Sequence, residues 1–431
     1  MRHHNWIRRA AGLSAATLLL GVGLGGVLQA QRSTGPVARY EMRAGTVSGM
    51  GGMAAMGRGG GMRAAMSMAF GGGRSSANHE LWLDLGSSRA PTGASPQADH
   101  FMPAGAKLGV SVPLKTPVST PTVPEKPGER DFQRPKGRML IFWGCGEHVG
   151  PGQPVVIDFA RIAAGQMPPG LWSTAVPTER YVSPASSRTW GHWPADDGKS
   201  VQPESSLLGA HRVAGNYTPT MNFTLSHDFM GALKAGSTAN PSGSVLLRWN
   251  SLPDATGYHA SLIGGKQGGR GGEMTDIVWW SSSATREFGG GLADWLTPAT
   301  VARLVANRTV LSPQTTTCTV PVEVKQAAPD FMMTSLYAYG PEESFAFPPR
   351  PKDPKAVWNI EWSARILHRS MTSFLAGMPG MDGMAMGDDG AADGRDSKQK
   401  QCPPRKKKGG FGGLGGLIGS AVGLPGTNDG C

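Results

Sequence analysis

Tracts rich in Gly, Met and Pro stand near both ends of the chain, and they limit where a hydrophobic core can form. Gly and Pro contribute 63 and 34 of the 431 residues, well above average usage. The segment from Gly45 to Gly73 combines Gly with Met, and ordering so much Gly costs conformational entropy. A second tract rich in Gly and Met follows Phe374. Between these two tracts lies a Pro-rich stretch whose prolines are spaced as in an extended polyproline II linker. They are Pro113, Pro117, Pro121, Pro124 and Pro127.

The first thirty residues have the three parts of a secretory signal peptide. Arg2, Arg8 and Arg9 supply positive charge without an acidic residue. An apolar stretch from Ala10 to Leu28 follows, and Ala30 is a small residue suited to cleavage. A retained membrane anchor is the alternative, although Gly, Ser and Thr interrupt the apolar run. We therefore predict cleavage after Ala30 and export to the periplasm or the cell surface.

The balance of charge is strongly basic, with a formal net charge of +11. A basic surface attracts anionic partners, and export makes nucleic acid the least expected of these. We predict an envelope protein or a polysaccharide as the partner, and no nucleic acid. A C-terminal cluster of four cations is typical of peripheral contact with a membrane surface, and its alternative is a solvated tail. The cluster is Arg405, Lys406, Lys407 and Lys408.

Four cysteines in an oxidising compartment favour disulfides, and four allow three pairings. Cys145 and Cys318 both lie in predicted strands, whereas Cys402 and Cys431 lie in the tail. The pairing of Cys145 with Cys318 and of Cys402 with Cys431 is therefore preferred.

The sequence Cys145-Gly-Glu147-His148 offers three types of ligand within four residues. A metal or catalytic site would need a further group such as His192 or His211, and no closed Cys/His framework is visible. A structural disulfide from Cys145 is the favoured interpretation.

The chain between the tracts alternates short apolar runs with turn signals, which predicts β-strands. Met139–Trp143 and Val155–Phe159 read as a hairpin, and Met221–Leu225 alternates as a half-buried strand does. The stretch from Pro168 to Glu204 reads as a long loop packed by its own tryptophans. Between the first Gly/Met-rich tract and the Pro-rich stretch, Leu81–Leu85 is a short apolar island that we expect to add one strand to a later sheet.

A second β region follows, in which Leu247-Arg248-Trp249 precedes a turn and Tyr258. Together with Leu336–Gly340, these residues resemble strands of a fibronectin type III domain over about residues 244–369. The resemblance implies a two-sheet sandwich with the Trp and the Tyr in its core. Strict alternation from Trp358 to Ile366 predicts the last strand.

Residues 264–314 are too many for a plain connection in such a domain, and the usual tyrosine corner is missing near Met332. Thr297 followed by Pro298 predicts a short helix with Thr as its N-cap. We therefore expect an elaborated sandwich.

Three tryptophans, Trp279, Trp280 and Trp295, are candidates for a binding surface, because exposed Trp stacks on sugars or anchors partners. Packing of these side chains in the core is the alternative and the favoured interpretation.

Methionines are concentrated between Met42 and Met68 and between Met371 and Met386. Thioethers select Cu(I), which makes periplasmic copper binding an alternative function. Neither tract contains His, so low-complexity linkers are the simpler interpretation.

The motifs of hydrolases, metalloproteases and nucleotide-binding enzymes are absent. We predict no enzyme, no catalytic residue, no metal and no cofactor, and an enzyme acting on envelope polymer remains a further alternative. The expected fold class is all-β, with two β-sandwich-like units between disordered Gly/Met/Pro-rich ends. The expected organisation is a signal peptide (1–30), a disordered linker (31–135), a β-rich domain (136–235), a fibronectin type III-like domain (240–372) and a disordered Met/Gly-rich, basic tail (373–431). The expected function is a non-enzymatic binding or structural role in the cell envelope.

Overall fold

Three β-sheets make up most of the fold, so the expected all-β class is confirmed. The computed structural model describes residues 35–50, 77–117, 137–166, 176, 180–195, 197–268, 273–353 and 355–377. The signal peptide, most of both Met-rich tracts, the Pro-rich stretch 118–136 and the tail from 378 onward lie outside the described residues.

The largest sheet has nine strands among the described residues. Its pairs are antiparallel except two, β13 with β5 and β1 with β16, which are parallel. With strands numbered along the chain, the spatial order is β6 (Val155–Asp158), β5 (Arg138–Trp143), β13 (Glu273–Ser281), β12 (Gly257–Gly268), β15 (Phe331–Phe347), β16 (Trp362–Leu375), β1 (Ala38–Ser48), β2 (Asn78–Ser87) and β7 (Thr189–Trp193).

Two smaller antiparallel sheets pack on the large one and give it two sandwich-like halves. One is β4 (Ser111–Pro113), β3 (Ala98–Phe101), β8 (Gly209–Gly215) and β9 (Met221–Leu225). The other is β10 (Ala235–Ala239), β11 (Val245–Trp249) and β14 (Thr317–Val320).

Alternation along the strands fills a separate core under each small sheet. Tyr40 and Met42 of β1 belong to the core under the four-stranded sheet. Trp249 and Tyr258 belong to the core under the three-stranded sheet, with ring centroids 5.8 Å apart. Apolar side chains on alternate strand positions therefore hold the layers together.

Short helices lie between some of the strands along the chain. They are the α-helices α1 (Phe159–Ala163), α2 (Pro298–Ala306) and α3 (Val322–Ala327) and the 3₁₀ turns Ala104–Ala106, Pro184–Ser186 and Gly290–Ala293. Helix α2 buries Val301 and Leu304 in a cluster with Tyr337 and Tyr339 of β15. None of the helices in the described part of the chain has the length and apolarity needed to cross a membrane.

Helix α2 begins as its sequence predicts, with Thr297 as the N-cap and Pro298 in the first turn. The Thr297 hydroxyl accepts a hydrogen bond from the Thr300 N–H at 3.2 Å. Replacing Thr297 with Ala leaves that N–H without its partner, so we expect the free energy of unfolding to fall by about 1 kcal/mol. Urea denaturation measures this loss, and Thr297→Ser, which keeps the hydroxyl, should match the parent protein. Equal loss in both variants would show that the methyl group matters instead.

The predicted linker at 31–135 is wrong in its described parts, because these contain β1, β2, β3 and β4. Strand β1 alternates Ala38, Tyr40, Met42 and Ala44, all buried, with charged residues. The apolar island Leu81–Leu85 lies in β2, as expected.

The two predicted β units also share one sheet: β5, β6 and β7 come from the first, and β12, β13, β15 and β16 from the second. The loop predicted at 168–204 contains β7, in which Trp193 is buried. The predicted hairpin, by contrast, is present as β5 paired with β6. Strand pairing across the predicted boundary gives the two halves a continuous hydrogen-bonded layer.

The predicted last strand begins later than expected, at Trp362. Trp358 lies in the preceding connection, where its indole N–H donates to the Pro348 carbonyl at 2.8 Å. The resemblance to fibronectin type III domains implies Trp and Tyr packed between two sheets, and Trp249 and Tyr258 do lie on different sheets. Membership of that family stays a prediction.

Cys145 and Cys318 form a disulfide, with Cα atoms 5.3 Å apart. This is the preferred pairing for those two residues, and Cys402 and Cys431 lie outside the described residues. Cys145 follows β5 of the large sheet and Cys318 lies in β14, so the bond joins two layers of the sandwich.

Candidate functional site

A basic groove lies on the face of the large sheet opposite the four-stranded sheet, where β15, β16 and β1 run side by side. Its volume is about 580 Å³, within the range of small-ligand sites. Two rows of paired residues form its floor, as the strand register shows. The rows are Ala346–Ser363–Arg39 and Ser344–Arg365–Glu41. Because Ser and Ala are small, the middle of the floor is a depression.

Separate elements form the walls of the basic groove. Arg180 comes from the segment that precedes β7, and Arg350, Trp358 and Ile360 come from the connection between β15 and β16. The Arg350 guanidinium carbon lies 5.9 Å from the centroid of the Trp358 ring. The groove therefore combines cationic groups with one aromatic wall.

The arginines of the basic groove differ from their neighbours on the same face of the sheet. Arg43 pairs with Asp84 at 2.6 Å, and Arg369 pairs with Glu80 at 3.0 Å. In contrast, Arg39, Arg180 and Arg350 are exposed and have no ion pair with any described residue. The described lining residues include four guanidiniums and one carboxylate, that of Glu41, so together they carry an excess of positive charge.

Glu41 is already committed to protein partners. Its carboxylate accepts hydrogen bonds from the Arg365 guanidinium at 2.5 Å and from the Val182 N–H at 2.7 Å. The same guanidinium donates to the Arg180 carbonyl at 3.3 Å. Buried Glu41 therefore fixes the Arg180–Val182 segment against the sheet and places Arg180 at the wall of the groove.

This segment crosses the sheet above Gly86 of β2. A Cβ atom at Gly86 would collide with the side chains of Ser187 and Val182. The absence of a side chain at Gly86 lets the backbone of the segment approach the sheet closely, and this approach limits the groove on its β2 side.

Beneath the floor, three buried side chains form a hydrogen-bonded chain from β1 to the four-stranded sheet. The Leu207 carbonyl can only accept, so His211 Nε2 donates to it at 2.7 Å. In a neutral ring His211 Nδ1 then accepts from His100 Nε2 at 2.9 Å, and His100 Nδ1 accepts from the Tyr40 hydroxyl at 2.5 Å. Every donor in the chain meets an acceptor only when both imidazoles are neutral.

Burial keeps this chain uncharged. It lowers the pKa of His100 well below its usual value, helped by the neighbouring His211, and it lowers the pKa of His211 itself. Burial likewise raises the pKa of the Tyr40 hydroxyl. We therefore assign these groups a structural role in holding β1 against β3 and β8.

The three tryptophans considered for a binding surface are buried, which rules out that role and agrees with the favoured core interpretation. Trp279, Trp280 and Trp295 are 6%, 0% and 5% exposed. Adjacent positions on β13 place Trp279 and Trp280 in different cores, on opposite faces of the sheet. Arg369 lies over the ring of Trp295 at 4.0 Å.

The structure does not bring together the candidate metal-ligating or catalytic residues that the sequence suggested around Cys145 and His148. Cys145 is in the disulfide, and His148 Nδ1 lies 2.9 Å from Glu323 Oε1 at the surface. His192 pairs with Asp84, and His211 lies in the buried chain. Within the described ranges, no group of three or more His, Cys, Asp or Glu residues is placed to hold a metal ion.

Of the methionines in the two tracts, Met42 is a core residue and Met371 packs beside the cluster under α2. The remaining methionines of the tracts, apart from Met50, lie outside the described residues. The basic cluster Arg405–Lys408 lies outside them too, so copper binding and membrane contact by these segments stay predictions.

Sequence reasoning did not identify Arg39, Arg180, Arg350 and Arg365 as a group. They are scattered along the chain without a motif, and only strand pairing brings Arg39 beside β16. Comparison of the chain with protein-family models, with curated proteins and with solved structures finds no match.

Proposed function

We propose that the protein is an exported binding protein of the cell envelope that holds an anionic ligand in the basic groove. The observation that carries the proposal is the set of three exposed guanidiniums, of Arg39, Arg180 and Arg350, around a floor of small residues. Guanidinium groups bind carboxylate and phosphate oxygens through paired, charge-assisted hydrogen bonds. The net charge of +11, which becomes +8 when Arg2, Arg8 and Arg9 are removed with the predicted signal peptide (11 − 3), adds long-range attraction for anions.

The composition of the groove supports a non-enzymatic role. Glu41 is the single acidic residue among the described lining residues, and its oxygens already accept from Arg365 and Val182. No imidazole or thiol lines the groove within the described part of the chain. The hydroxyls of Ser344 and Ser363 lie on the floor, but a serine acts as a nucleophile when a base activates it, and the described lining residues supply no such base beside them. The disulfide between Cys145 and Cys318 supports an oxidising compartment.

Titration calorimetry with pyrophosphate as a small polyanion tests the proposal at low ionic strength. We expect the parent protein to bind, and Arg39→Gln/Arg350→Gln to lose about tenfold or more in affinity, because two charge-assisted contacts are removed. Raised salt should weaken binding to the parent protein.

One control variant, with the same change of charge placed elsewhere, separates the effect of the groove from the effect of overall charge. Arg303 is exposed on α2, and Arg161 is exposed on α1; neither lines the groove. Arg303→Gln/Arg161→Gln has the same net charge as the groove variant and should bind as the parent protein does. Equal affinity of all three proteins for pyrophosphate would rule the groove out as its site.

A further inference from the structure

The aromatic wall of the basic groove offers a ring face and no polar edge. The Trp358 indole N–H is engaged by the Pro348 carbonyl at 2.8 Å, which fixes the ring and removes its one donor. Trp358 remains partly exposed beside Ile360, and both line the groove. A bound group in contact with this wall must therefore present an apolar face.

The floor of the groove offers hydroxyl groups between the arginines. Ser363 lies in the row with Arg39, and Ser344 lies in the row with Arg365. The Ser344 hydroxyl donates to Glu342 Oε1 at 2.8 Å and keeps its lone pairs for a donor. The Ser363 hydroxyl forms no hydrogen bond with the other described residues. These groups suit a ligand that carries hydroxyls of its own.

The guanidiniums stand at separate places around the floor. Arg39 lies on β1, Arg180 on the crossing segment and Arg350 on the connection between β15 and β16. Cationic groups on three elements suit a ligand with several separated negative charges better than a single compact anion.

We infer that the ligand is an acidic saccharide chain, whose sugar rings stack on Trp358 while their carboxylates bind the arginines. This inference rests on the proposed function and names its ligand class. The CH face of a sugar ring is apolar and packs on an aromatic ring. Ring hydroxyls then meet Ser344 and Ser363, and carboxylates meet the planar guanidinium forks. A nucleotide fits less well, because the other two rings among the described lining residues, Tyr40 and Phe345, pack in the core under the four-stranded sheet and do not face Trp358 to enclose a base.

Calorimetry with a galacturonic acid hexamer, and with the same hexamer methyl-esterified, tests the charge requirement. The esterified hexamer keeps the sugar rings but loses the carboxylate charges. We expect the acidic hexamer to bind about tenfold or more tightly than its ester, as charge-assisted contacts require. Equal affinity for the two would overturn the inference.

Variants at the wall test the stacking requirement. Trp358→Ala should weaken hexamer binding roughly fivefold, whereas Trp358→Phe, which keeps a ring, should retain most of the affinity. Trp358→Ala should leave pyrophosphate affinity nearly unchanged. Loss of affinity for both probes would mean that Trp358 shapes the groove and does not stack on sugar.

Two further outcomes separate this inference from the proposed function. Binding of pyrophosphate without binding of the hexamer would overturn the saccharide inference and leave anion binding standing. Tighter binding of adenosine diphosphate than of the hexamer, with loss in Trp358→Ala, would replace the saccharide with a nucleotide. Failure of all three probes would remove both proposals.

Discussion

Replacing Cys145 and Cys318 with alanine is expected to lower the free energy of unfolding by about 5 kcal/mol. The two residues are 173 positions apart in the sequence, so the bond restricts a large part of the unfolded chain. It also ties the end of β5 to β14, beside hydrogen bonds from Gly146 N–H to Thr319 O and from Val322 N–H to Glu147 O. A loss of this size is a large share of the stability of an ordinary domain.

Urea denaturation under oxidising conditions measures the loss. The single variants Cys145→Ala and Cys318→Ala each break the same bond, so both should lose nearly as much as the double variant. Cys318 is buried, and its replacement by Ala also removes a sulfur from the core, which adds a small cost. Losses that simply add from the two single variants would show that packing, and not the covalent link, stabilises the protein.

The protein should also lose stability steeply as the pH falls below about 6.5. Burial lowers the pKa of several histidines in the folded state, and for His259 the value is about 3. In the unfolded chain each of these imidazoles takes up a proton near pH 6.5, so the unfolded state binds more protons between the two pKa values. The free energy of unfolding therefore falls as the pH decreases through that window. The other histidines with a lowered pKa are His79, His100, His211 and His368.

Each histidine that stays neutral in the folded protein removes up to about 1.4 kcal/mol per pH unit. For His259 the loss between pH 6.5 and pH 4.5 is about 2 kcal/mol, because the unfolded imidazole is only half protonated at pH 6.5. Urea denaturation at several pH values measures the slope. His259→Phe, in a site beside Tyr337, should reduce the slope by about 1.4 kcal/mol per pH unit at most.

A matched variant keeps the imidazole and removes its neighbour. His259 Nε2 lies 3.1 Å from the Ser281 hydroxyl, and Ser281→Ala should retain the slope of the parent protein. An unchanged slope in His259→Phe would contradict the assignment of a neutral His259 to the folded state.

The elements that were predictable from the sequence are those with strong local signals. Helix α2 has its cap and its proline, β5 and β6 are apolar runs around a Gly/Pro turn, and β2 contains the island Leu81–Leu85. For these helices and strands the information lies within about ten residues of chain. Cys145 and Cys318 could be paired because both were expected in strands, whereas Cys402 and Cys431 lie in the tail.

Strand β1 was missed although its signal was present. Ala38, Tyr40, Met42 and Ala44 alternate with polar or charged residues, which is the pattern of a half-buried strand. The neighbouring Gly- and Met-rich tract made the whole segment read as a linker. Strand β8 carries a weaker signal, because His211 is a core residue there and Gly stands at both ends.

The basic groove could not be predicted, because its residues are brought together by long-range pairing. Arg39 meets Ser363 across a parallel pair, and Arg180 is held in place by contacts of Glu41 and Arg365. No spacing in the sequence encodes such a set. The tryptophans were candidates because exposed indole rings stack on sugars or anchor partners. Alternation along β13 instead buries Trp279 and Trp280 on opposite faces of the sheet.

The parallel pairing of β1 with β16 constrains the order in which this chain can be assembled. Ala38 is the partner of Trp362, so the middle of the large sheet stays open until nearly all of the described chain has emerged from the ribosome. Domains that fold during synthesis do so from the N-terminal end, and here that end must wait for the last strand. The pairing of β1 with β16 is therefore a late, long-range step, and a chain that lacks its last strand leaves one edge of β1 without a partner.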